Sequence, residues 1–303
     1  MKHVRSIIVL LLIAFTKVAN AVEIDSNKGD DAQVLLPHFS QHEIMLKEKA
    51  LDGSLPAASE LSNLYGMYTS WSQAIFWGMI AAENRTGLEV GKNAETSATL
   101  RYNLGDTLRL SPELLQCRRA LFWFKQVAAE EWQVAGYARN RLEEIQKKPC
   151  ENSLPPGHPE WNRWPKWGER IVGTDGRAAQ LQQQAVDGSP QAAAELLSSY
   201  IKHSRHAEAV FWGMIAAENE STSCGKTCLM LAHVLVRSSD SWNQRRARYW
   251  LNRVIAGHGA YAKDAQKILD QLAHGKIKHD IPGSLVDEPI FKIPKELWND
   301  SKK

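Results

Sequence analysis

Phe76-Trp77-Gly78-Met79-Ile80-Ala81-Ala82-Glu83-Asn84 returns letter for letter, 135 residues later, as Phe211-Trp212-Gly213-Met214-Ile215-Ala216-Ala217-Glu218-Asn219. Around it, residues 50–86 and 185–221 align without a gap, with 19 of 37 positions identical. Self-similarity at this level is read as internal repetition before anything else. The segment has almost no polarity before Glu83. Apolar side chains point all round the helix it would form, so that helix must be covered on several sides. Ala74, Trp77 and Ala81 share one face; Phe76 and Ile80 make a second. Gly78 stands mid-helix, where glycine costs about 1 kcal/mol relative to alanine. Its return at Gly213 predicts the close approach of a neighbouring backbone at both places. A duplicated core helix is the reading these residues support best. A ligand groove lined by Phe76, Trp77, Phe211 and Trp212 is the competing one.

Working outward, apolar residues at spacings of three and four predict further helices. One runs near Glu43 to Leu51 and stops at Gly53. The next starts with Pro56, where a first helical turn tolerates proline, and carries Ala57, Leu61 and Tyr65. It pairs with the nonapeptide helix. A second hairpin comes next, with Leu100, Leu104 and Leu108 on one arm and Ala120, Trp123 and Val127 on the other. A closing helix over 134–147 carries Ala135, Ala138 and Leu142. From residue 221 the offset between the halves falls from 135 to 127, so that Leu231, Ala247, Trp250 and Val254 match Leu104, Ala120, Trp123 and Val127. Each half is therefore expected to be two hairpins plus a closing helix, and the whole an all-α solenoid in two duplicated halves. The first unit with its N-terminal arm spans 22–148 and the second 179–273.

Residues 149–178 join them. Five of the twelve prolines fall within 149–176, which disfavours helix. Trp161, Trp164 and Trp167 also lie there. They either pin the linker onto the repeats or form an exposed strip for partner binding. The C-terminal segment 274–303 holds Pro282, Pro289 and Pro294 among Ile281, Leu285, Ile290, Phe291, Leu297 and Trp298. It is expected to lie extended along the repeats.

Residues 1–21 have the pattern of a secretory signal: basic Lys2 and Arg5, an apolar run from Ile7 to Phe15, and Ala19-Asn20-Ala21 as a small-x-small cleavage site. Its loss would remove three of 37 basic residues and leave 34 against 34 acidic ones. A neutral mature chain argues against general nucleic-acid binding. No stretch reaches the length of a membrane span. Four cysteines in an exported chain point to disulfides. Two antiparallel helices would return Cys150 to the level of Cys117, closing a loop that contributes roughly 3–4 kcal/mol in the chain-entropy model. Cys224 and Cys228 would then pair locally. A four-cysteine zinc site would need the two distant pairs to converge.

The repeat units resemble the Sel-like repeats, a branch of the tetratricopeptide-like helical repeats. That family pairs a helix of the form A-x-x-x-L-x-x-x-Y with one of the form A-x-x-W-x-x-x-A-A. Here Ala57-Leu61-Tyr65 precedes Ala74-Trp77-Ala81-Ala82, and Ala192-Leu196-Tyr200 precedes Ala209-Trp212-Ala216-Ala217. The likeness covers about 50–147 and 185–272. It implies an α-solenoid that binds another protein and carries no cofactor, metal or catalysis of its own. Exported bacterial members resemble envelope scaffolds, signalling regulators and periplasmic immunity proteins. The last kind neutralise effector toxins such as type VI phospholipases. A periplasmic location and an effector or an envelope protein as partner rest on that resemblance alone.

Motifs for chemistry are thin. Gly225-Lys226-Thr227 ends like a phosphate loop, but Glu220 stands where the first glycine belongs. No esterase elbow occurs. His38 with His42, and His203 with His206, are spaced for a metal but read better as solvated polar residues. Glu83 and Glu218, at matched helix ends, offer the symmetric acid pair a glycosidase needs; inheritance through the repeat explains them equally. Asn84-Arg85-Thr86 and Asn219-Glu220-Ser221 match a glycosylation sequon incidentally.

Overall fold

The computed structural model describes residues 36–67, 71–84, 92–151, 176–220 and 225–281. The chain divides into two compact units, Met1–Glu43 and Ile44–Lys303. Of the first, only the start of a helix is described, and the helical architecture belongs to the second. Twelve helices and no strand occur among the described residues. In the first half these are α1 (Leu36–Leu51), α2 (Leu55–Met67), α3 (Trp71–Glu83), α4 (Lys92–Leu108), α5 (Leu114–Ala128) and α6 (Val134–Lys147). In the second they are α7 (Gly176–Val186), α8 (Pro190–Lys202), α9 (His206–Asn219), α10 (Gly225–Val236), α11 (Ser241–Ala256) and α12 (Ala262–Ala273).

Neighbouring helices pack as hairpins: α2 with α3, α4 with α5, α8 with α9, α10 with α11. Helices α6 and α12 lie against α5 and α11 and close each half. This is the expected all-α solenoid of helical hairpins in two duplicated halves. One feature of the plan differs. Helix α1 is the one expected near Glu43 to Leu51, starting earlier at Leu36, but the second half has a leading helix too, α7, and it packs on α8. It begins at Gly176, inside the stretch read as linker. Residues 152–175, with Trp161, Trp164 and Trp167, lie outside the described residues, as do 1–35, Cys224 and 282–303.

Helices α3 and α9 carry the nonapeptide, and all ten residues from Ala74 to Glu83 and from Ala209 to Glu218 are buried. They contact one another, which puts the repeated segment at the centre. Trp77, Trp123, Trp212 and Trp250 are fully buried, and each buried side chain of this size contributes on the order of 1.5–3 kcal/mol through burial. The halves reproduce each other in detail. Phe76 meets Trp77 edge-on at 5.1 Å and 80°, and Phe211 meets Trp212 at 5.1 Å and 79°. Phe122 and Trp123 stand at 4.8 Å and 70°, Tyr249 and Trp250 at 4.9 Å and 70°.

The mid-helix glycines answer to side chains, not to the neighbouring backbone expected from the sequence. A Cβ on Gly78 would lie 3.0 Å from Leu104 Cδ1 and 3.2 Å from Ser62 Oγ. One on Gly213 would lie 2.9 Å from Leu231 Cδ1 and 3.3 Å from Leu197 Cδ1. Leu104 and Leu231 are matched residues of the adjoining hairpins, so both glycines admit the same leucine from the next repeat. Gly105 likewise admits the Phe124 ring, whose Cε1 would stand 2.9 Å from an added Cβ. The second half has Ala232 and Leu251 at these two positions, both buried, a larger residue facing a smaller one.

Cys117 and Cys150 form the expected disulfide, with Cα atoms 5.7 Å apart. Cys228 is buried in the first turns of α10, and no cysteine is free among the described residues. After α12 the chain runs to the end of α10. Ile281 N donates to Arg237 O and Ser239 N to Ile281 O, both at 3.1 Å. Arg237 forks onto Asp280 at 2.8 and 2.9 Å, and Ile281 is buried.

Candidate functional site

The second repeated stretch is a corner: Ala50-Leu51-Asp52-Gly53-Ser54 and Ala185-Val186-Asp187-Gly188-Ser189. Here α1 and α7 end and α2 and α8 begin. Gly53 and Gly188 adopt φ of 106° and 107°, which L side chains rarely adopt. Gly53 N donates to Ala50 O at 3.1 Å and Ser54 N to Lys49 O at 2.8 Å; Gly188 and Ser189 repeat this pattern at 3.1 and 2.9 Å. This is the glycine-terminated helix end that satisfies orphan carbonyls. The serine then caps the following helix, Ser189 Oγ accepting from Ala192 N at 3.2 Å.

The end of the nonapeptide adds a second donor to one carbonyl of each corner. Asn84 Nδ2 donates to Ala50 O at 2.8 Å and Asn219 Nδ2 to Ala185 O at 2.9 Å. This leaves a carboxylate, an amide oxygen and a carbonyl pointing together at the negative end of a helix, which favours a cation. The cation comes from the opposite half. Arg246 of α11 donates to Glu83 Oε2 at 2.5 Å, Asn84 Oδ1 at 2.7 Å and Leu51 O at 3.3 Å. Arg119 of α5 donates to Glu218 Oε2 at 2.6 Å, Asn219 Oδ1 at 2.7 Å and Val186 O at 3.3 Å.

The preceding arginines do the same at the rim. Arg245 forks onto Asp52 at 2.6 and 2.7 Å, and Arg118 forks onto Asp187. One turn on, an aromatic ring lies over the other half's glycine. A Cβ on Gly53 would sit 2.5 Å from Tyr249 Cε2, and one on Gly188 2.5 Å from Phe122 Cδ2. The buried guanidiniums also stack on these rings, Arg119 at 3.9 Å from the Phe122 centroid and Arg246 at 4.0 Å from that of Tyr249. The halves differ at Tyr249, whose hydroxyl donates to Glu83 O at 3.2 Å, and at Arg253, which donates to the same carbonyl at 3.2 Å. Phe122 and Gln126 stand at the matching positions.

Arg119 and Arg246 are 1% and 2% exposed, and Glu218 and Glu83 are 1% and 2% exposed. Burial pushes the Glu83 carboxyl up to about 8 against the pull of the Arg246 guanidinium, and the Glu218 carboxylate adds to the rise. Burial also lowers Arg119 against the pull of Glu218. This sets a pH dependence. Glu83 is raised on folding from 4.5 to about 8, so between these values the folded chain holds a proton that the unfolded chain has released. Stability from this group is fully present below pH 4.5 and is lost as pH rises through about 8. Thermal melts at constant ionic strength should show a falling midpoint between pH 6 and pH 9, and Glu83→Gln should flatten that slope. A midpoint that rises over this range would contradict the assignment.

The structure thus brings Glu83 and Glu218 together, but in a sealed centre where each is held by an arginine. Asn84, offered as a sequon, is 3% exposed and bonded on both sides of its amide. His203 and His206 flank a turn, with His203 Nδ1 at 2.8 Å from Ser199 O, and no three metal-ligating side chains cluster among the described residues. Thr227 donates to Glu220 Oε1 at 2.8 Å, so the phosphate-loop likeness ends there. Phe76, Trp77, Phe211 and Trp212 are core residues, at most 2% exposed, and line no groove. Sequence reasoning misses the arginines. Their signal is nonetheless there: at the 127-residue offset, Arg118-Arg119-Ala120 returns as Arg245-Arg246-Ala247.

Fold and centre together define an all-α helical-repeat protein whose two halves exchange buried arginines. Among models of protein families, curated proteins and solved structures, nothing matches the chain.

Proposed function

We propose that this is an exported, non-catalytic protein-binding repeat protein of the Sel-like kind, most concretely a periplasmic immunity protein that captures and neutralises a secreted antibacterial effector, such as a type VI phospholipase. One observation carries the non-catalytic part: the acid pair that the repeat singles out is closed to solvent and committed to holding the halves together. The helical-hairpin architecture supports the binding part, because stacked hairpins present long surfaces to partners. The signal-like residues 1–21 and the disulfide Cys117–Cys150 support export to an oxidising compartment. No helix of the described residues is long and apolar enough to cross a membrane.

The test is coexpression in the periplasm with the toxin encoded beside the gene. The expected result is restored growth and a stoichiometric complex that survives size exclusion. Growth arrest with no complex, for every neighbouring toxin, removes the immunity role. An envelope defect on deletion in a toxin-free strain would favour a scaffold or signalling regulator instead.

A further inference from the structure

We infer that the two halves are the protomers of a two-fold dimer fused into one chain, and that their interface holds without the connection between them. Three observations carry this. First, apart from the bonds of Tyr249 and Arg253 to Glu83 O, the main polar and aromatic contacts between α11 and the first half are matched by contacts between α5 and the second. Arg246 on Glu83, Asn84 and Leu51 pairs with Arg119 on Glu218, Asn219 and Val186. Arg245 on Asp52 pairs with Arg118 on Asp187, and Tyr249 over Gly53 pairs with Phe122 over Gly188. A contact from i to j that is always accompanied by one from j to i is the mark of an isologous interface.

Second, each half carries both sides of the interface. Arg118 and Arg119 donate and Phe122 packs outward from the first half, while Asp52, Glu83 and Asn84 accept and Gly53 takes a ring in the same half. The surface is therefore complementary to itself, and the partner it fits is a second copy of the same fold. Third, the contacts are of core quality, with Arg119, Glu218, Arg246 and Glu83 at or below 2% exposure. Such burial belongs to obligate interfaces, not to tethered domains that touch in passing. The disulfide Cys117–Cys150 lies within the first half and does not bridge the interface.

The experiment uses the full chain, with a specific protease site inserted in residues 152–175 and disulfides kept oxidised. After cleavage, the two pieces should elute together at the mass of the uncut protein, with unchanged helicity and one melting transition. After separation in denaturant and remixing, they should reassociate. Pieces that part under native conditions, folded or aggregated, overturn the inference. A second measurement isolates the interface. Gly188→Ala stays assembled in the uncut chain but should weaken reassociation of the cut pieces at least tenfold, whereas Gly275→Ala should not change it. Equal reassociation of both variants would show that the paired corner contacts do not hold the halves.

Discussion

Arg246→Met destabilises the protein by about 3–5 kcal/mol, and Arg119→Met does nearly the same; this is the range for breaking a buried ion pair by removing one partner. The methionine fills most of the volume, so the loss comes from what is left behind. Glu83 keeps Oε2 with no donor, Asn84 loses a 2.7 Å bond and the Leu51 carbonyl a 3.3 Å one. The group is fully buried, so water cannot replace the guanidinium. The carboxyl, protonated below about 8 with the arginine in place, then stays protonated to higher pH, so the damage grows as pH rises through that value. Urea unfolding followed by far-UV circular dichroism at pH 6 and pH 8.5 measures both effects. Adding Glu83→Leu to Arg246→Met should recover most of the loss, because an apolar pair of similar volume often matches a buried ion pair. Typical domains have only about 5–15 kcal/mol in all, so the single variants lie near the edge of folding. A loss below about 1 kcal/mol would mean that the pair merely sits in the core without holding it.

The fold is legible because its main signal is local. The nonapeptide is apolar on all sides, and flanked by apolar residues at spacings of three and four it reads as a covered helix. Closing helix α6 has the bounds its sequence predicts, since Ala135, Ala138 and Leu142 mark one face of an isolated amphipathic stretch. The centre is not legible in the same way. Arg119 and Arg246 look like surface charges on helices α5 and α11, because periodicity treats a charged residue as solvent-facing. Their acceptors lie 99 and 163 residues away, and nothing local in either segment points there. Glu83 and Glu218 match visibly, but matching alone does not separate a catalytic pair from a structural one. The separation comes from burial and from the arginines. The neighbour of Gly78 escapes the sequence for a related reason. A mid-helix glycine signals close approach, but whether backbone or the Leu104 side chain approaches depends on how the next hairpin sits. Gly53 and Gly188 read as helix stops, which they are; the ring over each comes from the opposite half.

Those two corner glycines carry the other large effect. Gly188→Ala is expected to cost about 3 kcal/mol, with Gly53→Ala close behind, as two separate terms. The first is conformational. At φ of 107° and 106° a Cβ meets its own backbone, a strain of about 1–2 kcal/mol. The second is packing. The new methyl would stand 2.5 Å from Phe122 Cδ2 at Gly188 and 2.5 Å from Tyr249 Cε2 at Gly53. Neither ring can retreat freely, because each has a buried guanidinium stacked on it at 3.9 or 4.0 Å. Overpacking of this kind costs about 1–3 kcal/mol. Gly275 separates the two terms. It also has a positive φ, 64°, but an added Cβ there meets nothing within 4 Å, so Gly275→Ala should show only the backbone term of about 1 kcal/mol. Gly188→Ala combined with Phe122→Leu tests the assignment from the other side. Removing the ring should return part of the alanine penalty, giving a coupling above about 0.5 kcal/mol in a double-mutant cycle. Strict additivity of the two substitutions would mean that ring and corner do not press on each other, and the cross-half contact would lose its energetic role.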